Sequence, residues 1–177
     1  MSWSAVVLAG GRGSRLGGVD KASLVVGGRT LLDHVLAAVA GAARVVVVGP
    51  SKDDVPGVTW AREDPPGGGP VAGLAAGLVH VGTDLVVVLA VDQPGLTRST
   101  VDRLRAAVAD AGAVLVDDAG RAQWLIGAWR TSALREALPA DPRGTSMRSV
   151  LAPLTPVEVP ALPGESRDVD APGDLVP

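Results

Sequence analysis

Residues 4–21, SAVVLAGGRGSRLGGVDK, join an apolar run to a glycine-rich, basic segment. Apart from Ser4, residues 4–9 are apolar at every position, which predicts a strand that is buried on both faces of a sheet. The segment 8–21 follows at the carboxyl end of that strand, where open α/β sheets bind their ligands. The stretch therefore indicates an α/β fold with a ligand site at the end of its first strand.

The rest of the chain alternates short apolar runs with amphipathic segments. Further strands are predicted at 24–26, Arg44–Val48, 58–60, Leu85–Ala90, 113–116, 123–129 and 157–159, and helices at 31–39, 71–81, after Thr97, at 131–138 and at 146–154. This alternation predicts a mostly parallel sheet with right-handed crossovers. The turn 117–121 adds one antiparallel strand, and we expect a single domain over 1–177.

Composition narrows the functional classes. The chain has 177 residues, no cysteine and two histidines, so thiolate chemistry is excluded and a His-rich zinc site is not expected. A net charge of −3 without a basic run argues against general nucleic-acid binding. We see no signal sequence and no apolar run of about 20 residues, so we expect neither a membrane nor a nucleic acid as partner, and a cytoplasmic location.

The glycine-rich segment has the composition of a triphosphate site. Its glycines allow successive N–H groups to face one anion, and its cations add positive charge; these residues are Gly10, Gly11 and Gly13, with Arg12, Arg15 and Lys21. It is neither a dinucleotide fingerprint nor a P-loop, because Leu16 takes the place of the last fingerprint glycine and Val19-Asp20 follows Gly18. The alternative is a glycine-rich surface turn with solvated arginines.

Asp92 stands directly after a buried valine-rich run, in LAVDQP at 89–94. If this strand neighbours the first one, its carboxylate faces the glycine-rich loop. Mg²⁺ favours one or two carboxylates together with phosphate and water oxygens, so Asp92 is the predicted metal ligand. A turn-capping aspartate before proline is the competing interpretation.

Three weaker segments complete the candidates. Asp64 precedes the loop PPGGGP and could accept hydrogen bonds from a guanine base, although a stiff surface loop explains it better locally. Asp168 and Asp170 point the same way in an extended segment and could supply a second metal carboxylate, the alternative being a solvated tail. Arg143 and Arg148 could meet an anionic acceptor at a helix start, or simply lie on a capped amphipathic helix.

Four motifs in a fixed order carry a family resemblance. LAGGRGSRLGGVDK, EDPPGGGPVAGL, VDQP and DVDAPGDL together resemble the MobA-like nucleotidyltransferases, and within them the molybdenum cofactor guanylyltransferases. The resemblance implies a Rossmann-like three-layer α/β/α sandwich of the nucleotide-diphospho-sugar transferase type. It implies transfer of GMP from GTP to molybdopterin with release of pyrophosphate, and Mg²⁺ as cofactor.

The resemblance also assigns roles to residues. It implies that Leu8, Ala9 and Gly10 contact the nucleotide, with Gly11, Arg12 and Gly13 in the same loop, that Lys21 contacts its phosphates, that Asp64 lies at the guanine and that Asp92, with Asp170, holds Mg²⁺. Arg15, Lys21 and Asp92 are the predicted catalytic residues. A phosphorylated small-molecule acceptor, GTP and proteins of molybdoenzyme maturation are the implied partners.

Two departures leave alternatives open. Val48-Gly49-Pro50 stands where members of the family often carry asparagine, and Asp168-Val169-Asp170 replaces an Asn-containing motif. The acidic version is similar to cytidylyl- and sugar-nucleotidyl-transferring relatives, whereas Gly10-Gly11 favours guanylyl transfer. A cytidylyltransferase, a sugar- or alditol-phosphate nucleotidyltransferase and a non-catalytic nucleotide-binding relative therefore remain alternatives.

Overall fold

A seven-stranded sheet forms the centre of the protein. A computed structural model describes residues 1–10, 15–16 and 19–169. In chain order the strands of this sheet are β1 (Trp3–Leu8), β2 (Arg44–Val48), β3 (Thr59–Ala61), β4 (Leu85–Ala90), β5 (Gly112–Val116), β6 (Ala122–Arg130) and β7 (Val157–Pro160).

The sheet is parallel except for one strand. Its order is β7-β5-β6-β4-β1-β2-β3, and β6 runs antiparallel to both β4 and β5 while the other neighbours pair in parallel. The central strands β1 and β4 are buried at every position, as their apolar sequences predict. The predicted α/β class and its single antiparallel strand are thus confirmed.

Helices cover both faces of the sheet. They are α1 (Leu31–Ala38), α2 (Pro70–Leu78), α3 (Arg98–Ala107), α4 (Thr131–Ala137) and α5 (Met147–Leu151). Side chains of α1 and α3 belong to the core cluster on one face, and side chains of α2, α4 and α5 to the cluster on the other. The three-layer α/β/α sandwich is therefore confirmed; that all of 1–177 forms one domain stays a prediction.

Glycine allows α2 to lie unusually close to the sheet. A Cβ atom added at Gly77 would lie 2.7 Å from Cγ1 of Val6 in β1 and 3.1 Å from Cγ2 of Val48 in β2. At Gly73, one turn earlier, the added atom would be in ordinary contact with Leu8. Because α2 starts at Pro70, this close packing also fixes the end of the proline-glycine loop, residues 65–69, that precedes the helix.

Several element ends differ from the sequence-based expectation. The strand predicted at 24–26 exists as Val25–Val26, but it pairs with Arg29–Thr30 in a separate ribbon outside the main sheet. Another two-residue ribbon pairs Arg15–Leu16 with Val19–Asp20. The helix predicted at 146–154 ends at Leu151 and continues as a 3₁₀ turn, Ala152–Leu154, because Pro153 has no N–H for the α-helical ladder.

Candidate functional site

A cavity of about 620 Å³ opens at the carboxyl ends of β1, β2 and β4. Its lining combines backbone-rich glycine segments, apolar strand ends and three charged side chains. The lining residues are Leu8, Ala9, Gly10, Lys21, Val48, Glu63, Gly67, Gly68, Gly69, Pro70, Gly73, Ala90, Val91, Asp92, Leu125 and Gly144. The segment at the end of the first strand and Asp92, which the sequence places at least 82 positions apart, thus line one cavity.

Backbone hydrogen bonds align the strand ends that form the cavity floor. The Ala9 N–H donates to the Val48 carbonyl at 2.8 Å, and the Val91 N–H donates to the Leu8 carbonyl at 3.1 Å. Gly10 and Gly49 lie so close that a Cβ atom at Gly49 would be 3.1 Å from the Gly10 nitrogen. The absence of side chains at both positions therefore lets the two loops lie against each other beside the cavity.

Lys21 and Asp92 face each other across the cavity wall. Lys21 Nζ lies 3.8 Å from Asp92 Oδ2, and the two side chains are 8% and 26% exposed. Lys21 starts a 3₁₀ turn, Lys21–Ser23, whose N-cap is Asp20: its Oδ1 accepts from the Ala22 N–H at 3.3 Å. The cavity thus carries a buried cation beside a partly exposed carboxylate, a combination suited to a metal-bound polyphosphate.

Lys52 braces this arrangement from the loop after β2. Its ammonium group lies 2.6 Å from Asp20 Oδ2 and also contacts the Ser23 hydroxyl. Lys52 thereby links the cap of the Lys21 turn to the strand next to β1. Sequence reasoning missed this residue, because nothing in the order of residues shows that positions 20 and 52 meet.

The proline-glycine loop supplies a second wall, but through Glu63 and not through Asp64. Glu63 lines the cavity, and its Oε1 accepts from the Gly67 N–H at 3.1 Å. Asp64 is exposed and lines a neighbouring cavity of about 390 Å³ instead. The structure therefore does not bring Asp64 to the site where the sequence-based interpretation put it, since the chain bends at that residue.

The segment 141–144 closes the same wall. The Gly144 N–H donates to the Gly68 carbonyl at 2.9 Å, and Gly144 lines the cavity. Arg143 instead pairs with Asp141, Nη2 to Oδ2 at 2.8 Å, and its hydrogen bonds lower the pKa of Asp141 to about 2. Arg143 and Arg148 are exposed, and neither lines the cavity. Their contact with an anionic acceptor therefore stays a prediction.

The C-terminal segment reaches the site through its backbone. The Val169 N–H donates to the Asp92 carbonyl at 2.9 Å, and the Val169 side chain is 1% exposed. Asp168 precedes it on the exposed surface. Gly11, Arg12, Gly13 and Asp170 lie outside the described residues, and Arg15 is described by its backbone alone.

Two negative findings apply to the described ranges only. Within 1–10 and 19–169 no group of three or more His, Cys, Asp or Glu side chains is arranged to hold a metal ion. Mg²⁺ commonly binds one or two carboxylates together with phosphate and water oxygens, so a single carboxylate such as Asp92 fits it without a larger cluster. Over the same part of the chain, no helix combines the length and the apolar surface that crossing a bilayer requires.

Comparison with known families decides the assignment. The model of the MobA-like NTP transferase domain matches residues 5–159. The chain belongs to this family. The resemblance inferred from the four motifs is thereby confirmed, and the family is one of nucleotidyltransferase enzymes.

Relatives agree with the family match. A molybdenum cofactor guanylyltransferase from Acidiphilium cryptum is 39% identical over 140 residues, covering 73% of this chain and 67% of the relative. A protein of the same name from a Bradyrhizobium species is 37% identical, covering 75% of this chain and 68% of the relative. Both names are those of the subgroup to which the motif order is most similar.

Solved structures share the fold. The 2-C-methyl-D-erythritol 4-phosphate cytidylyltransferase from Thermus thermophilus superposes with a TM-score of 0.70 at 25% identity, covering 99% of this chain and 96% of that one. Molybdopterin-guanine dinucleotide biosynthesis protein A from Archaeoglobus fulgidus gives a TM-score of 0.68 at 22% identity, covering 97% and 94%. At this identity the second likeness concerns the fold alone.

Proposed function

We propose that this protein transfers GMP from GTP to the phosphate of molybdopterin and releases pyrophosphate. The observation that carries the proposal is the meeting of Leu8–Gly10, Lys21 and Asp92 on one cavity, in a chain whose relatives are named guanylyltransferases. The cavity volume, about 620 Å³, suits a nucleotide-sized ligand.

The triphosphate is held mainly by backbone and by one buried cation. Gly69, Pro70 and Gly73 line the cavity at the start of α2, where the helix dipole favours an anion. Lys21 adds a full positive charge from a wall that water barely reaches. On the basis of the sequence motif, we assign the same charge-neutralising role to Arg12 and Arg15. On the same basis we assign Gly11 and Gly13 as backbone N–H donors to the phosphates.

Asp92 has the chemistry of a magnesium ligand. It stands at the carboxyl end of a buried strand, keeps 26% of its side chain exposed, and lines the cavity together with the phosphate-binding residues. On the basis of the sequence motif, we assign Asp170 as the second carboxylate that holds the metal. When bound, Mg²⁺ supplies neutralisation of phosphate charge that one lysine alone does not provide.

The transfer itself is an in-line displacement. An oxygen of the acceptor phosphate forms a bond to the α-phosphorus of GTP while the bond from that phosphorus to the α,β-bridging oxygen breaks. The electron pair leaves with pyrophosphate, so atoms and charge balance. A phosphate nucleophile is already ionised at neutral pH, so this chain needs no general base, and its residues act by positioning and charge neutralisation.

The base is read at the wall formed by the proline-glycine loop. The motif points to Asp64, but Glu63 is the acidic side chain that lines the cavity, so we assign the guanine-facing position to the Glu63–Gly69 loop as a whole. The acidic segment 168–170 favours cytidylyl transfer as the second candidate. Competition binding among GTP, CTP, ATP and UTP separates the two candidates, because the preferred triphosphate displaces the others at the lowest concentration.

The decisive test is pyrophosphate release. The wild-type chain is incubated with GTP, molybdopterin and Mg²⁺, and Asp92→Ala is compared with Asp84→Ala. Asp84 precedes the same strand, β4, at its opposite end and is exposed, so it controls for loss of a carboxylate. We expect Asp92→Ala to abolish Mg²⁺-dependent turnover with an unchanged fold and Asp84→Ala to be active; near-normal activity of Asp92→Ala contradicts the metal assignment.

Wider aspects of the assignment stay predictions. A cytoplasmic location, partners among molybdoenzyme maturation proteins and one domain over 1–177 accord with the proposed reaction. A wild-type chain that binds GTP but never releases pyrophosphate with any acceptor would instead favour a non-catalytic nucleotide-binding role.

A further inference from the structure

Glu165 is a buried acid that the proposed reaction does not use. Among the acidic side chains of the described ranges it alone is buried, with 4% of its surface exposed. Thr100 Oγ1 donates to its Oε1 at 2.6 Å, and Arg103 donates to both carboxylate oxygens, at 2.8 and 2.9 Å. The Leu162 N–H adds a fourth hydrogen bond at 2.7 Å.

These contacts fasten the C-terminal segment to α3. We call Thr100, Arg103 and Glu165 the carboxylate clip. The same Arg103 also donates to the Pro160 carbonyl at 3.0 Å, so one guanidinium holds both the end of β7 and the turn that carries Glu165. The segment after β7 is therefore tied at two points before it continues to Val169.

The clipped segment ends at the candidate metal ligand. Four residues after Glu165, the Val169 N–H donates to the carbonyl of Asp92, and the buried Val169 side chain joins the core cluster that contains Val91 and Leu96. The clip thus acts on Asp92 through the backbone, from residues that do not line the cavity.

We propose that the carboxylate clip is a positioning device that holds the segment 165–169 against the backbone of Asp92 and so fixes the position of that candidate metal ligand. The inference rests on the proposed function for its effect on metal use, but the geometry is independent of it. Glu165, Thr100 and Arg103 are positioning residues, because none of them lines the cavity.

Burial of charge supports positioning over bulk stabilisation. A buried ion pair loses hydration that its own attraction only partly restores, so it adds little net stability compared with an apolar contact. A bidentate Arg–carboxylate pair nevertheless has strict geometry, which fixes the relative position of the two elements that carry it. Loss of a group that hydrogen-bonds to a metal-binding residue typically changes metal affinity about 10- to 100-fold.

The experiment compares Glu165→Gln and Arg103→Met with Glu158→Gln in the full chain. Glu158 lies exposed on the neighbouring strand β7, so its variant makes the same chemical change outside the clip. Amide hydrogen exchange at Val169, measured without nucleotide or metal, reports the hydrogen bond to Asp92. The Mg²⁺ concentration for half-maximal pyrophosphate release reports its consequence.

We expect both clip variants to exchange the Val169 amide at least about tenfold faster, the mark of local opening, and Glu158→Gln to exchange as the wild type does. We expect the clip variants to need at least about tenfold more Mg²⁺, with maximal rates within about threefold of the wild type, as for a lost outer partner. Should Glu165→Gln fail to fold, Arg103→Met gives the same readouts, because its site is partly exposed.

The two proposals fail differently. Unchanged Val169 exchange in a folded clip variant overturns the clip, whatever the activity. Faster exchange with an unchanged Mg²⁺ requirement overturns its link to the metal. If the wild type releases no pyrophosphate although its Val169 amide is protected from hydrogen exchange, the proposed reaction is overturned. The comparison of Val169 hydrogen exchange between wild type and clip variants then still tests the clip.

Discussion

Lys21 and Glu165 are the two buried charges of the described residues, and their surroundings differ. Glu165 is enclosed by protein donors from α3 and from its own turn, whereas Lys21 lies on the wall of a 620 Å³ cavity opposite Asp92. A buried charge surrounded by protein partners holds elements together. A buried charge beside an open volume is placed for a ligand of opposite charge.

The largest effect should come from Lys21. We expect Lys21→Ala to lose at least about 10²-fold in the rate of pyrophosphate release, because one donor of transition-state charge stabilisation is removed. Steady-state kinetics with GTP and acceptor measures the loss, and thermal unfolding measures whether the fold persists. A variant with a lowered melting temperature but an unchanged rate would move Lys21 into the same class as Glu165.

The next largest effect concerns Gly77, where α2 packs closely on the sheet. We expect Gly77→Ala to lower the free energy of unfolding by about 2 kcal/mol, since the new methyl group overlaps Val6 and pushes α2 from β1. Gly82→Ala is the matched control, because an added Cβ there meets nothing within 4 Å. Equal effects of the two substitutions in urea unfolding would contradict the close packing of α2.

Lys52 should have a smaller effect, on binding. Lys52→Met removes the ammonium group that contacts Asp20, the cap of the Lys21 turn. We expect the KM for GTP to rise about tenfold with little change in kcat, as for the loss of a group that positions a ligand-binding residue. Lys52→Arg should recover most of the affinity; a drop in kcat without a change in KM would assign Lys52 another role.

The smallest effect concerns the pH dependence of stability. Burial by itself raises the pKa of Glu165, but hydrogen bonds from Arg103, Thr100 and the Leu162 N–H outweigh it and place the pKa below the ordinary value. Its stabilisation is therefore present above the unfolded-state pKa, about 4.3, and is lost as the pH falls through the native value. We expect the melting temperatures of wild type and Glu165→Gln to converge over that range; a constant difference would contradict it.

The sequence predicts the scaffold well because its signals are local. The apolar run of β4 and the threonines that cap α1 and α3, Thr30 and Thr97, each act within a few residues, and the structure contains all of them. The placement of Asp92 at the same cavity as the end of β1 followed from one further inference, that neighbouring parallel strands end at the same edge of a sheet. Whether Glu63 or Asp64 lines the cavity depends on how the loop between β3 and α2 bends, which residue types alone do not encode.

Long-range side-chain contacts were beyond sequence reasoning. Lys52 reaches Asp20 across 32 positions, and Glu165 reaches Thr100 across 65, and neither pairing has a spacing signal. Both act through a residue of the cavity without lining it. Such contacts become visible only when the fold brings the elements together.

The reversed strand β6 has a consequence for how the cavity can diversify. Because β6 runs against β4, its starting half lies at the edge where its neighbours finish, and Leu125 from that half borders the cavity beside Ala90. In the order of the sheet, the turn that leads into β6 therefore lies on the far side of Asp92 from the carboxyl ends of β1 and β2. Insertions or substitutions in that turn can therefore reshape one half of the cavity and leave the half formed by the ends of β1 and β2 untouched.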